Sequence, residues 1–341
     1  SSTINTVGIT GPKTNFVGSM LISNDAGTGT LNAASDNTGF GNEVFDDLTS
    51  GDNNTGIGAK ALTKLTTGLA NVAVGSSALQ VNISGSQNTA VGYQSLDANL
   101  ASNNTAVGTS ALGANTTGAT NTAVGLESLA ANTTASNNTA VGYAALGANT
   151  TGSENTAVGQ GALDANTTAS GNTAVGSDAL TANTTGDANV AVGKNALEAN
   201  TTADNNTAVG RSALGANTTG AGNTAIGAIA LDAITTSSNN TAVGHEALTN
   251  MTGGGGNTAL GKSTMTATVT GSNNTAVGYT ALSANTSASN NVAVGVGALV
   301  ATNSGASNTA IGESSMLSNT TGSENTAVGR GALASNSGAN G

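Results

Sequence analysis

A five-residue signature, Asn-Thr-Ala-Val-Gly, recurs with small changes from Asn37 almost to the end of the chain. It starts eighteen times, the last time at Asn325, and sixteen of the seventeen spacings between starts are 17 residues. The remaining spacing, from Asn88 to Asn104, is 16 residues. A fixed period this short is typical of a solenoid, in which each repeat forms one coil and stacks on the next.

The repeat has a consistent internal pattern when its first Asn is counted as position 1. Position 2 is Thr or Val, position 4 is aliphatic or Phe, position 5 is Gly, and position 9 is Leu, Met or Phe. Positions 2 and 4 lie on one side of a strand and position 3 on the other. We therefore predict a short Thr-Ala-Val strand, a turn at Gly, where a positive φ is allowed, and a second turn at Asn-Thr-Thr-Gly.

These positions predict a structural core of two ladders and a row of turn glycines. The core ladders are Val91, Val107, Val124, Val141 and Val158 at position 4, and Leu96, Leu112, Leu129, Leu146 and Leu163 at position 9. The turn glycines are Gly92, Gly108, Gly125 and Gly142. The Ala side of the strand is then a surface on which a partner could pack.

A 17-residue unit is too short for two helices and a loop, and its short strand carries β-branched Thr and Val. We predict an all-β fold, a parallel β-solenoid of about eighteen coils spaced about 4.7–4.9 Å apart, or a rod of about 85–90 Å. Stacking places each Asn on an Asn of the next coil, where the side chains can form hydrogen-bonded ladders. The domain division is a non-repeat segment, 1–36, and a repeat domain, 37–341.

The segment 1–36 holds the single proline, Pro12, and several short β-prone runs. It is interpreted as a cap, an attachment segment or a strand offered to a neighbouring molecule, because the terminal edges of a solenoid are unpaired. We predict that it forms the longitudinal contact between subunits.

The composition excludes several function classes. The net charge is −11 with seven Lys and Arg, so nucleic acid is not an expected partner, since phosphate binding needs clustered cations. No apolar run approaches 18 residues, so no membrane insertion is expected. Cysteine is absent, which excludes disulfides and thiolate metal sites.

The signature, followed by Ala-Leu and an Asn/Gly turn, resembles the head repeat of trimeric autotransporter adhesins, whose motif recurs about every 14 residues. Similar Asn-Thr-Ala-Val-Gly arrays occur in bacterial and phage fibres. The resemblance covers residues 37–341 and implies a left-handed β-roll that assembles as a trimer. It also implies that Val91 and its equivalents line the roll interior and that Gly92 and its equivalents form the turn. The repeat here is three residues longer than the adhesin repeat.

Catalysis finds no support in the sequence. The single histidine, His245, sits at position 6, which accepts many residue types and is interpreted as an outward row with a candidate role in surface contacts. The row includes Tyr93, Tyr143, Lys194, Arg211, His245, Lys262, Tyr279 and Arg330. Asp46 and Asp47 are adjacent and point to opposite sides of a strand, so they are not an acid–base pair. No enzyme activity, cofactor or metal is predicted, although an acidic N-terminal region leaves a calcium site as a minor alternative.

Asn-Asn-Thr and Asn-Thr-Thr recur and match the N-glycosylation pattern. We interpret them instead as ladder Asn and turn Thr required by the fold, and keep O-glycosylation of exposed Thr and Ser as an alternative.

The function hypothesis is a non-enzymatic structural or adhesive fibre protein, extracellular at a cell surface or part of a virion fibre. Its partner is expected to be itself, as a homotrimer or head-to-tail polymer, with a host surface or glycan as a second partner. The alternatives are an ice-binding solenoid that uses Thr ladders and a phage tail-fibre shaft. A polysaccharide-active enzyme would need clustered carboxylates on one face, and the repeat has none.

Overall fold

The computed structural model describes residues 8–10, 16–17, 20–23, 33–338 and 340, and the regular structure of these residues is β. The chain forms two compact units, Ser1–Ser170 and Gly171–Gly341, called here the first and second units.

Strands are numbered in chain order. In the first unit they are β1 Gly8–Thr10, β2 Phe16–Val17, β3 Met20–Ser23, β4 Ala34–Ser35, β5 Thr38–Phe40, β6 Thr55–Ile57, β7 Val72–Val74, β8 Thr89–Val91, β9 Thr105–Val107, β10 Thr122–Val124, β11 Thr139–Val141 and β12 Thr156–Val158. In the second unit they are β13 Thr173–Val175, β14 Val190–Val192, β15 Thr207–Val209, β16 Thr224–Ile226, β17 Thr241–Val243, β18 Thr258–Leu260, β19 Thr275–Val277, β20 Val292–Val294, β21 Thr309–Ile311 and β22 Thr326–Val328.

Within each unit, every repeat contributes one strand that pairs in parallel with the strand of the next repeat. The register aligns equivalent positions, so that Ala123 of β10 faces Ala140 of β11. The same register holds across the 16-residue repeat, where Ala90 faces Ala106. The predicted parallel β-solenoid of about eighteen turns is therefore confirmed. The shorter repeat removes its residue from the turn and leaves the strand stack intact.

The orientation of the strands corrects the predicted core. Ala at position 3, such as Ala90, is fully buried, whereas Val91 beside it is 36 % exposed. The other predicted core valines are also outward: Val107 and Val158 are exposed, and Val124 and Val141 are partly exposed. The prediction for the Leu ladder is confirmed, because Leu96, Leu112, Leu129, Leu146 and Leu163 are all fully buried.

The narrow interior of the coil explains this inversion. Leu at position 9 fills the space inside the strand, and only a methyl group fits opposite it. The first two coils show the same constraint. Phe45 replaces Leu at position 9 of the first coil, and Gly39 and Gly56, which both lie near its ring, replace Ala at position 3. A Cβ added at Gly39 would lie 3.0 Å from the Phe45 ring. Position 3 therefore faces position 9 across the interior, and a larger residue at one requires a smaller residue at the other.

The predicted turn glycines have the expected conformation, with φ of +139° at Gly92 and +137° at Gly142. A Cβ at Gly142 would lie 2.5 Å from the carbonyl oxygen of Gly159 in the next coil, so glycine is also required by the close stacking. The turn continues through a left-handed residue at position 9, where Leu146 has φ of +52°. A left-handed backbone conformation costs about 1–2 kcal/mol in a non-glycine residue. The side chain of Leu146 is fully buried in this conformation.

The described strands of segment 1–36 lie on the first repeat coil. β3 pairs in parallel with β5, with Leu21 opposite Gly39, and β1 pairs antiparallel with β3. Leu21 is buried, so β3 covers the interior of the first coil as a cap would. The contact of this segment with another subunit stays a prediction.

Candidate functional site

Two ladders of buried Asn help to hold the coils in register. The position-1 ladder runs through the repeats, whereas the position-12 ladder is interrupted by residues such as Leu65, Ile234 and Thr302. At position 1, the backbone N–H of Asn155 donates to Oδ1 of Asn138 at 2.9 Å, and Nδ2 of Asn138 donates to the carbonyl oxygen of Gly152 at 2.9 Å. At position 12, Nδ2 of Asn149 donates to Oδ1 of Asn132 at 3.1 Å and also to the Gly152 carbonyl oxygen at 2.9 Å. Such ladders satisfy polar groups that burial would otherwise leave unpaired.

The outward side of the strands forms the first candidate surface, which we call the Thr/Val face. It consists of the position-2 and position-4 side chains of β5–β12 in the first unit and of β13–β22 in the second. Position 2 is Thr or Val in these strands, and position 4 is Val, Ile, Leu or Phe. Neither column contains a charged residue in either unit. Because neighbouring strands lie about 4.8 Å apart, each column is a closely spaced line of similar groups.

The predicted position-6 row is exposed, as expected for an outward row. Tyr93, Tyr143 and Tyr279 are 52 %, 51 % and 53 % exposed. The structure brings some members together, because equivalent positions stack on successive coils. Lys194 and Arg211 occupy neighbouring coils, and His245, Lys262 and Tyr279 occupy three successive coils of the second unit. Tyr93 and Tyr143 are separated by two coils and do not form a common site.

The ion pairs of this row are local and solvent-exposed. Nδ1 of His245 lies 3.7 Å from Oε2 of the adjacent Glu246, and Nε of Arg330 lies 3.4 Å from Oε2 of Glu313. Exposed pairs of this kind contribute little stability. Among the described residues, the charged side chain beside His245 is the exposed Glu246, whereas a general base is usually oriented by a well-placed hydrogen bond.

The acidic N-terminal region does not assemble a metal site among the described residues, where no group of three His, Cys, Asp or Glu side chains comes together. Asp47 instead lies 3.0 Å from the ammonium of Lys64, and Asp52 accepts a hydrogen bond from the backbone N–H of Ser35 at 2.7 Å. Hydrogen bonding and the charge of Asp47 raise the pKa of Lys64. Asp25, also in this region, lies outside the described residues.

Three carboxyls at position 10 have perturbed acidity. Burial raises the pKa of Asp97, Asp164 and Asp232, and the nearby charge of Arg211 partly opposes this at Asp232. Asp97 differs from the other two because its Oδ1 is buried without a hydrogen-bond partner. Sequence reasoning missed this residue, since position 10 varies freely between Asp, Gly, Ala, Thr and other types.

Open clefts lie beside positions 7 and 10 in each unit. The cleft in the first unit has a volume of about 250 Å³ and is lined by Gln94, Asp97, Ser110, Gly113, Ala114 and Ala130. The cleft in the second unit has a volume of about 380 Å³ and is lined by Ile229, Glu246, Thr249, Asn250, Ser263 and Thr266. The sequence signal for the first cleft is a run of small residues at position 10, Gly113 and Ala130, next to Asp97.

The glycosylation patterns fall into two structural groups. Asn149, in an Asn-Thr-Thr sequence, is fully buried in the position-12 ladder, as the interpretation as ladder Asn predicts. Asn137, in an Asn-Asn-Thr sequence, is exposed at position 17 and is not a ladder residue, so that interpretation is wrong for this group. Its φ of +62° explains the preference of this position for Asn and Gly.

Comparison with models of known protein families gives no match, and comparison with curated proteins also gives none. Within the described part of the chain, no helix combines the length and apolar character needed to cross a bilayer. The functional inference therefore depends on the surfaces themselves.

Proposed function

We propose that this protein is a non-enzymatic structural subunit of an extracellular fibre and that its copies associate through the Thr/Val face. The observation that carries the proposal is the uniformity of this face. Exposed columns at position 6 accept Lys, Arg, Glu and Tyr, whereas the exposed columns at positions 2 and 4 remain uncharged in all the strands from β5 to β22. An exposed surface that excludes charge over many coils is typical of a surface that is covered.

The size of the face supports a second copy of this chain as the covering partner. A three-residue strand is about 10 Å long, so eight strands in the first unit present about 400 Å² and ten in the second about 500 Å². Each unit by itself therefore presents about half of the roughly 800 Å² that each partner contributes to a standard stable interface. Sheets that pack face to face lie about 10 Å apart with interdigitating side chains, and Val and Thr suit this packing.

The fibre and its extracellular location are supported by the resemblance to adhesin head repeats and to repeat fibres of bacteria and phages. End-to-end growth is a further part of the proposal, with segment 1–36 as the joint.

The test compares two doubly substituted chains with the wild type by electron microscopy and analytical ultracentrifugation. Val107→Lys with Val124→Lys places two charges on the Thr/Val face. Thr109→Lys with Leu126→Lys places the same charges at position 6 of the same coils, where Lys194 shows that Lys is accepted. We expect assembly of the wild type and the position-6 control and loss of assembly in the face variant, with unchanged circular dichroism for all three. A wild type that stays monomeric at all concentrations, or a face variant that assembles normally, overturns the proposal.

A second candidate function is ice binding, because the structure places position-2 Thr on the exposed side of the sheet. Thr122, Thr139 and Thr156 lie in register on neighbouring strands, with the spacing of a parallel sheet. The Thr-Thr pairs of the Asn-Thr-Thr turn lie outside the strands. Thermal hysteresis at micromolar protein, lost in Thr139→Tyr, would favour this function over the fibre.

A further inference from the structure

The cleft beside Asp97 in the first unit exists because the next two coils carry small residues, Gly113 and Ala130, at position 10. Asp97 forms one wall with Gln94, and Gly113, Ala114 and Ala130 leave the neighbouring space unfilled. Elsewhere position 10 accepts larger side chains, including Leu317. The cleft is therefore a local feature of these coils and not a necessary consequence of the solenoid.

Three polar side chains line this cleft: Gln94, Asp97 and Ser110. Oδ1 of Asp97 is buried without a hydrogen-bond partner. Together the three side chains supply an amide, a carboxyl and a hydroxyl to one small space.

The corresponding cleft of the second unit is a useful contrast. There Oγ of Ser263 donates to Oε2 of Glu246 at 3.2 Å, and Nδ2 of Asn250 donates to the carbonyl oxygen of Thr266 at 2.8 Å. Glu246 also lies beside His245. Because these polar groups already bind one another, a ligand would have to displace them, whereas the cleft at Asp97 has no such competition.

The charges around the cleft indicate the class of ligand. No Lys or Arg occurs between Lys64 and Lys194, so nothing in these coils would neutralise a phosphate, sulfate or carboxylate. Amide, carboxyl and hydroxyl groups are suited to the neighbouring hydroxyls of a neutral sugar, which both donate and accept hydrogen bonds.

We propose that this cleft binds one ring of a neutral glycan, with Gln94, Asp97 and Ser110 hydrogen-bonding its hydroxyls. A volume of about 250 Å³ is below the range of pockets for drug-sized ligands, which suits a single ring. If the protein is an adhesive fibre, as proposed above, the glycan is a ligand through which it adheres. The biological role of the site rests on that proposed function, but glycan binding by the cleft does not. Binding itself can be measured on dispersed chains.

The test uses the full chain with methyl glycosides of neutral hexoses, and with methyl glucuronide as the acidic comparison, in saturation-transfer NMR and titration calorimetry. Gly113→Leu fills the cleft with a residue type that position 10 accepts at Leu317, and a Cβ at Gly113 meets no atom closer than 3.3 Å. Asp97→Ala removes the carboxyl. Thr181→Leu makes the matched change at position 10 of the second unit.

We expect at least one neutral glycoside to bind, at least tenfold weaker binding by Gly113→Leu and Asp97→Ala, and wild-type binding by Thr181→Leu. Absence of binding by every neutral glycoside overturns the proposal, as does unchanged binding by Gly113→Leu. Equal binding of the glucuronide refutes the inferred ligand class. A chain that binds neutral glycosides but never assembles refutes only the fibre, and a chain that assembles but binds no glycoside refutes only this site.

Discussion

Replacing one Asn of the position-1 ladder should destabilise the solenoid far more than its small side chain suggests. In Asn138→Ala, the backbone N–H of Asn155 loses its acceptor, since it donates to Oδ1 of Asn138 in the native chain. A buried N–H without a partner costs about 1–3 kcal/mol, and the lost bond to the carbonyl oxygen of Gly152 adds about 0.5–1.5 kcal/mol. The Gly152 oxygen keeps its second bond, from Asn149. We therefore expect a loss of about 2–4 kcal/mol.

The measurement combines urea denaturation with hydrogen exchange of the Asn155 amide. Exchange reports local opening, which matters in a repeat protein whose stability is a sum over neighbouring coils. Asn137→Gly is the matched control, because Asn137 is exposed and Gly adopts its φ of +62° without strain. The control should change stability by less than about 0.5 kcal/mol. Equal losses in the two variants, or unchanged protection of the Asn155 amide in Asn138→Ala, would refute the role of the ladder.

Three further predictions address the core, the turn and one acid. In urea denaturation, Leu146→Ala should lower the free energy of unfolding by about 2–5 kcal/mol, and Val158→Ala should lower it by less than about 1 kcal/mol. A larger loss for Val158→Ala than for Leu146→Ala would mean that Val, as first predicted, forms the core. Gly142→Ala should cost at least about 3 kcal/mol, because φ is +137° and its Cβ would meet the next coil, and a stable variant would contradict this geometry. Burial raises the pKa of Asp232, so the charged carboxylate destabilises the folded state at pH values above that pKa. Asp232→Asn should therefore raise the Tm at pH 7 and leave the Tm unchanged below the ordinary Asp pKa of 3.8. An equal effect on the Tm at both pH values would exclude burial of the charge as the cause.

The strict period was sufficient to predict the solenoid, its parallel pairing and the glycine turn. The period determines which residues stack, because a constant repeat length places equivalent positions of successive repeats on one another whatever the shape of the coil. The Leu ladder was also predictable, since a position that is large and apolar in every repeat, such as position 9, is expected to face the interior. The 16-residue repeat differs from the others at a turn, where Leu100 stands in place of two Thr.

The direction of the strand was not predictable from hydrophobicity alone. Val at position 4 is more apolar than Ala at position 3, and the usual rule places the larger apolar residue inside. The rule failed because position 3 lies opposite the large position-9 side chain, so that only a small residue fits at position 3. One signal was present in the sequence: Gly39 and Gly56 replace Ala in the coils nearest Phe45, which indicates that position 3 shares space with position 9.

The candidate sites were less predictable than the fold. Position 6 was correctly placed outside, since residues as different as Lys194, Tyr93 and Leu126 share it. The cleft at Asp97 depends on the absence of side chains at neighbouring coils, and such a space becomes visible only when positions 7 and 10 are folded against each other. Similarly, no local pattern distinguishes the unpartnered carboxyl of Asp97 from the other acids at position 10.

The outward position of Val changes what its constancy means. A buried Val would be maintained by packing, and the uniform column would then carry no information about function. For an exposed Val, packing within the chain is not a sufficient cause, and strand propensity explains only the preference for β-branched residues. Strand propensity does not explain the exclusion of charge, because single charged residues on an exposed strand face are well tolerated and position 6 of the same coils accepts them. A partner surface explains both features, since it favours β-branched apolar residues and penalises an unpaired charge that it would cover. The same reasoning separates the two surfaces of the coil. The uncharged Thr/Val face is suited to self-association, and the variable columns are suited to features that differ from coil to coil, such as the cleft at Asp97.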